Sequence, residues 1–327
     1  WAKSKFKENL IWPSIYNDPD KGLTYPFGLR LSDINNDKNL DLVHCNITRE
    51  NKRKLIISEC FIHYGLGNGS FSTKKIFRRL GLLERLYSIN IDDDKFEEIF
   101  IVNNLYGGFE LLLNEDIEES NQPHSWNAIK INTPKMQRTY DIVAGNINAD
   151  NCPDIVISGY AGAGVLILEN RCDVDKNNNY RFSDWSPNYI GNKFPNKQDR
   201  MTRVKGLSLF DFDNDGDLDI LANSEGLSHV EDPDQNISLP YLRIFVNPGI
   251  INEDWEVIDL ENSLRGSNHS TTCDIDNDGD KDIIVLFGAR RALNDLSKHG
   301  IYLYENISNA KNENNYRNIK FKRIFIK

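Results

Sequence analysis

Nine residues, Asp211-Phe-Asp-Asn-Asp-Gly-Asp-Leu-Asp219, set a carboxylate at every second position with a glycine among them. That alternation suits one kind of chemistry, the wrapping of a hard cation. Ca²⁺ takes roughly six to eight oxygen ligands at about 2.3 to 2.6 Å. Asp211, Asp213, Asp215 and Asp219 supply side-chain oxygens from one tight loop, and Asp217 adds its backbone carbonyl. Gly216 stands where the chain turns most sharply, because a residue without Cβ adopts positive φ at little cost. The loop recurs as Asp274-Ile-Asp-Asn-Asp-Gly-Asp-Lys-Asp282, with Asp274, Asp276, Asp278, Asp280 and Asp282 in the equivalent places.

An EF-hand loop opens in the same way, but it ends on a bidentate Glu at its twelfth position and lies between two helices. Here the twelfth residue is Ala222 in one copy and Val285 in the other. The flanks are short apolar runs of strand type. The cation loops are therefore expected between β-strands.

Three weaker copies follow the same spacing. The first offers Asp33, Asn35, Asp37, Asn39 and Asp41, and the second offers Asn90, Asp92, Asp94, Phe96 (through its carbonyl) and Glu98. The third, Asn146-Ile-Asn-Ala-Asp-Asn-Cys-Pro-Asp154, keeps only Asp150 and Asp154 as acids. The residues leave open whether the loops at 90–98 and 146–154 take an ion, and the third has the means to hold its shape without one.

The elements that position these loops repeat with them. First positions at 33, 90, 146, 211 and 274 are 57, 56, 65 and 63 residues apart. In each copy an apolar strand enters the loop and a second leaves it. A third ends on Asn, as in Leu111–Asn114, Leu166–Asn170, Ile244–Asn247 and Ile301–Asn306, and a fourth, often aromatic, follows. No helical period runs over a useful length, so the chain reads as all-β. A repeat of this length with four strands per copy points to a propeller or a similar array.

These loops, the third strands ending in Asn, and the turn Leu66-Gly-Asn-Gly-Ser-Phe71 resemble the FG-GAP or VCBS-type repeat of integrin-α-like calcium-binding β-propellers. The resemblance covers nearly the whole chain. It implies a β-propeller of about five four-stranded blades, at roughly 26–80, 84–134, 138–192, 204–260 and 268–327, with an Asp-rich calcium loop between the first and second strands of each. Residues 1–25 then become a candidate ring-closing strand: Phe6–Trp12 reads as a fourth strand with no blade before it, and Lys320–Ile326 competes for the same place. The resemblance also implies ions inside blades, where they hold strands together, and a disc face that binds a glycan or a protein partner in adhesion or carbohydrate recognition.

Composition narrows the partner. The net charge is −10, yet the five loops carry 20 acids and three lysines (Lys38, Lys95, Lys281), so the rest of the chain is net +7. Acidity is thus a property of the metal sites and argues neither for a basic ligand nor for an acidic tail. The basic runs Arg49–Lys54 and Lys74–Arg79 read as solvated strand ends, and no nucleic-acid binding is expected. No run of about 18 apolar residues exists, so no membrane span is expected. The chain starts at Trp1 rather than Met, which suggests a processed product.

Five cysteines and five Asn-x-Ser/Thr sequons, at Asn46, Asn68, Asn236, Asn268 and Asn306, fit a secreted glycoprotein. In an antiparallel hairpin, opposed residues sum to a constant. A turn centred between Lys52 and Arg53 sets Cys45 opposite Cys60, and one centred on Gly162 sets Cys152 opposite Cys172. Two disulfides are expected on that register, with Cys273 left over.

Catalysis needs a convergent acid, base or nucleophile. The six histidines are scattered over different copies; His44 and His63 share one hairpin and read as a packed pair. There is no Gly-x-Ser-x-Gly, no phosphate loop and no His-Glu-x-x-His. The segment most like a ligand site is Tyr180–Ile190, where Tyr180, Phe182, Trp185 and Tyr189 alternate with polar groups as sugar-binding or protein-binding surfaces do; packing between blades is its plainer use. Two functions survive: an extracellular calcium-stabilised recognition module, and a polysaccharide-active enzyme of lyase or dehydratase type on the same scaffold.

Overall fold

A computed structural model describes residues 16–18, 22–50, 55–92, 94, 96–105, 107–117, 123–131, 133, 138–159, 164–172, 185–190, 201–225, 241–262, 267–288, 299–307 and 320–326. Among these the structure is all-β, with 21 strands in five antiparallel sheets and no helix. The arrangement is consistent with a five-bladed propeller.

The first sheet runs β1 (Tyr16–Asp18), β2 (Gly22–Ser32), β3 (Asp41–Glu50), β4 (Leu55–Gly65) and β5 (Phe71–Leu80). The second holds β6 (Leu83–Ile89), β7 (Glu98–Asn103), β8 (Phe109–Ile117) and β9 (Pro123–Ile131), and the third β10 (Thr139–Gly145), β11 (Asp154–Gly159), β12 (Val165–Glu169) and β13 (Ser186–Tyr189). The fourth holds β14 (Val204–Phe210), β15 (Asp219–Ser224), β16 (Leu242–Val246) and β17 (Glu256–Glu261), and the fifth β18 (Ser267–Cys273), β19 (Asp282–Phe287), β20 (Gly300–Asn306) and β21 (Phe321–Ile326). Within every sheet, neighbours in sequence are neighbours in space, the pattern of a meander.

Burial explains the residue choice strand by strand. Every residue of β7, β11 and β15 is buried, because a second strand sits inside its sheet with other sheets over both faces. Such strands read as continuous apolar runs. The outlying β5 and β21 mix half-buried and exposed residues instead.

Four apolar clusters join the sheets in order. Ile34, Val43 and Ile62 of the first meet Leu83, Ile99 and Ile101 of the second. Phe100 and Phe109 meet Ile155 and Leu166 of the third, Val156 and Ile167 meet Ile220 and Phe245 of the fourth, and Leu221 and Ile244 meet Ile283 and Tyr302 of the fifth. First strands lie beside one another throughout, β2 by β6, β6 by β10, β10 by β14 and β14 by β18. They form the hub.

Among the described residues no such cluster joins the first sheet to the fifth. The outer faces of these two expose large apolar side chains, including Leu29 at 64% and Leu286 at 45%. Phe6–Trp12 lies outside the described residues. β21 completes the fifth sheet as its fourth strand, and β1 pairs with the start of β2.

Candidate metal centres

All five Asp-rich loops link a first strand to a second, and each is drawn together by its own carboxylates. The ninth residue is the keystone. Asp219 accepts the Phe212 N–H at 2.8 Å from inside the loop and the Asn247 N–H at 2.8 Å from the end of β16. Asp41 does the same for Ile34 and Gly65, Asp154 for Ile147 and Asn170, and Asp282 for Ile275 and Asn306. Glu98 takes the Ile91 N–H at 3.0 Å, while its Oε1 is buried with no hydrogen-bond partner. In sheets three to five the Asn at the end of the third strand, Asn170, Asn247 or Asn306, thus supplies a backbone donor to the loop, a role its side chain does not reveal.

Inside the loop the fifth residue is constant in use: Asp37, Asp94, Asp150, Asp215 and Asp278 each accept the N–H two residues on. The first residue divides the copies. Asp33, Asp211 and Asp274 accept two N–H groups from the turn, at 2.8 to 3.2 Å. Asn90 and Asn146 stand in their place in the other two loops, and their Oδ1 atoms are buried without a partner.

The fourth and sixth positions turn left-handed. Asn36, Ala149, Asn214 and Asn277 have φ of 55° to 62°, and the sixth position is Lys38 at 73°, Asn151 at 68°, and Gly216 and Gly279 at 100°. Asn tolerates this region and Gly occupies it freely, so loops four and five carry the residues that their backbone favours.

Three groups bring carboxylate oxygens within 4.8 Å of one another and could hold a metal ion: Asp92, Asp94 and Glu98; Asp211, Asp213 and Asp219; Asp274, Asp276 and Asp282. Burial and mutual repulsion act on these acids. Burial first, and then the Asp213 and Asp215 charges, push Asp219 up to about 8 despite its two N–H donors. Glu98 is pushed up to about 9 by burial and then by Asp92, and Asp213 to about 6 by burial and its acidic neighbours. Six buried loop oxygens have no hydrogen-bond partner: five, on Asn35, Asn90, Glu98, Asn146 and Asp213, belong to loop positions one, three or nine, and the sixth is Glu97 Oε2 at position eight. A buried acceptor with no partner costs roughly 1–3 kcal/mol, and a hard cation removes that cost at several oxygens at once. The residues present therefore fit an oxygen-ligated cation, loop two included.

Loop three is closed differently. Cys152, its seventh residue, is disulfide-bonded to Cys172, just past the end of β12. The ladder pairs Ile155 with Leu168, a register that would set Cys152 opposite Arg171, one residue from the expected partner. Cys172 reaches the bridge because the chain has left the ladder and turned left-handed there, at φ 47°. The other bridge, Cys45–Cys60, spans a directly paired position of β3 and β4. Cys273 is a free thiol.

The remaining candidates take plainer places. Trp185 and Tyr189 pack against the apolar cluster between the second and third sheets, Trp185 stacked on Phe109 with centroids 6.0 Å apart. Tyr180 and Phe182 lie outside the described residues. His63 and His44 share a hydrogen bond of 3.0 Å and stack in the first sheet. The Asn46 and Asn306 sequons are buried, and Asn68 is exposed on the β4–β5 turn. No helix among the described residues is long and apolar enough to cross a membrane. No protein-family model matches the chain, and a search of curated proteins found no match.

Proposed function

We propose that the chain is a calcium-braced β-propeller of about five blades, of the FG-GAP or VCBS type, that works outside the cell as a recognition module for a glycan or a protein. The observation that carries this reading is the direction of the loop carboxylates. The ninth-position acids are buried, Asp219 ties its loop to the end of a third strand, and oxygens at other ligand positions lie buried with no partner. A cation held there braces each sheet. An ion committed to bracing leaves binding to the ends of the strands.

Two disulfides fit an oxidising compartment, and calcium loops of this kind fill at the calcium concentrations found there. Thermal melts with calcium and with EDTA test the bracing: a lower melting temperature in EDTA is expected, and an unchanged one removes calcium from the account. A glycan array paired with an oligosaccharide degradation assay tests the module. Retention without turnover is expected; turnover without retention would replace the module with a polysaccharide-active enzyme.

A further inference from the structure

The hub carries a polar cluster that the metal loops do not use. Each first strand has a β-bulge, near its start in sheets two to five and mid-strand in the first, where one residue drops out of the pairing with the second strand: Gly28, Glu84, Tyr140, Lys205 and Asn268. In sheets two to five the bulge falls at the same place, six residues before the loop, or about 20 Å from it along the strand. A bulge re-aims a side chain, and bulges are over-represented beside active sites.

Side chains from four sheets meet there. Lys205 Nζ stands 3.4 Å from the centroid of the Tyr140 ring. Arg85 Nη2 donates to His269 Nε2 at 2.6 Å, joining the second sheet to the fifth. Its Nε lies 4.0 Å from Asp141, which also accepts the Leu207 N–H at 2.9 Å. Glu84 accepts from the Asn104 amide at 2.8 Å and lies within electrostatic reach of Lys205, Arg85 and Arg138. Burial lowers Lys205 and raises Glu84, so both charges are held partly out of water. Glu84, Arg85, Asp141 and Lys205 are half-buried, which keeps them within reach of a ligand.

We propose that this cluster at the leading ends of the hub strands binds the carboxylate and hydroxyls of an acidic sugar; the proposal rests on the recognition reading above. Four cations, Arg85, Arg138, Arg203 and Lys205, meet three acids, Glu84, Asp141 and Glu225, a local excess of one positive charge in a chain of net charge −10. Arg85 and Lys205 offer charge-assisted hydrogen bonds to a carboxylate, and Arg138 and Arg203 beside Tyr140 add positive charge. Glu84 and Asp141 are acceptors that sugar hydroxyls satisfy by donating. An acidic peptide brings several carboxylates but no hydroxyl donors, and it would set its charges against Glu84, Asp141 and Glu225 with no donor to satisfy them. A neutral sugar gives the cations nothing to neutralise.

Titration calorimetry with calcium present tests this, using trisaccharides ending in glucuronate, galacturonate or N-acetylneuraminate, their methyl esters, and a triglutamate peptide. At least one acidic trisaccharide should bind. Methyl esterification, Lys205→Met and Arg85→Met should each weaken it about tenfold or more. Lys205→Arg should retain most of the affinity, and Lys322→Met, on the fifth sheet's outer strand, should retain all of it. Melting temperatures identify any variant that fails to fold, and the methyl ester decides the matter on the native chain if the substitutions do. The proposal is overturned if none of the three acids binds, if esterification makes no difference, if folded Lys205→Met and Arg85→Met bind as the native chain does, or if triglutamate binds equally well. A neutral glycan or a protein retained equally by native chain and Lys205→Met would overturn the hub site alone and leave the recognition module standing.

Discussion

Between Asn146 and Asp154 the chain makes the turn that it makes again between Asp211 and Asp219, with the same left-handed fourth and sixth residues and the same ninth-position anchor. Loop four gathers Asp211, Asp213 and Asp219 into a cage that a cation can fill. Loop three has two acids and a Cys152–Cys172 bridge from its seventh residue to the end of the third strand. The bridge adds a covalent tie to the strand end that the ninth-position acid already holds, whereas a cation in loop four would add its tie through that acid itself. What differs is the condition each would depend on: a bound cation in one case, calcium under the proposed function, and an oxidising environment in the other. The hydrogen-bonded scaffold comes first, and the ion or the bridge is a second fastening laid over it.

The comparison would break most visibly at the anchor the two loops share. Replacing Asp219 or Asp154 by Ala strands two buried N–H groups in either loop and should cost about 3–4 kcal/mol in both, by urea denaturation. A large loss in loop four alone would make the anchor a mere accessory of the ion. Next comes the bridge. Cys152→Ser should destabilise by about 3 kcal/mol on the chain-entropy model, equally with and without calcium. A calcium-dependent loss would mean that loop three also holds an ion.

Chelation reverses the pattern. With calcium at a hundredfold over its dissociation constant, EDTA should remove about 2.7 kcal/mol. Asp213→Ala should shrink that response, and Asp150→Ala should leave it as it was; equal effects of the two would erase the distinction between the loops.

The pH dependence sharpens the comparison further. In the metal-free fold Asp219 is raised from 3.8 to about 8. An acid raised in the folded state stabilises below its unfolded value, and that stability is lost as pH rises through the folded one. Metal-free protein should therefore weaken between about pH 4 and pH 8, the range in which calcium must first displace a proton. The gap between calcium and EDTA melting temperatures should be wider at pH 8 than at pH 5; a constant gap would contradict the buried, protonated Asp219. The smallest effect concerns the backbone alone. Lys38 holds at φ 73° the place that Gly216 and Gly279 hold in loops four and five, so Lys38→Gly should stabilise by about 1 kcal/mol in thermal melts.

The loops were legible because their ligands lie within nine residues of one another, at a spacing that only a tight turn satisfies. The five copies, the four-stranded repeat and the Cys45–Cys60 register follow from equally local patterns. The Cys152–Cys172 register was read one residue out, since a strand's period says nothing about where the chain leaves its ladder. The aromatic segment at Tyr180–Ile190 could be read as a ligand surface because alternation does not say which face another sheet will cover; Trp185 and Tyr189 are packed between two.

Sequence alone determined the repeat, the strand-loop-strand setting of the carboxylates and their chemistry, all of which depend on neighbours along the chain. Tertiary structure decided which loop oxygens are buried without partners, that Asn247 and its counterparts close the loops through their backbone N–H groups, and that Glu84, Arg85, Tyr140, Asp141, Lys205 and His269 converge. Those six come from four copies, and a bulge at each inner strand shifts the side-chain alternation by one residue. A reading with period two therefore assigns them to the wrong faces, and only the packing of four sheets with their first strands side by side brings them within a few ångströms of each other.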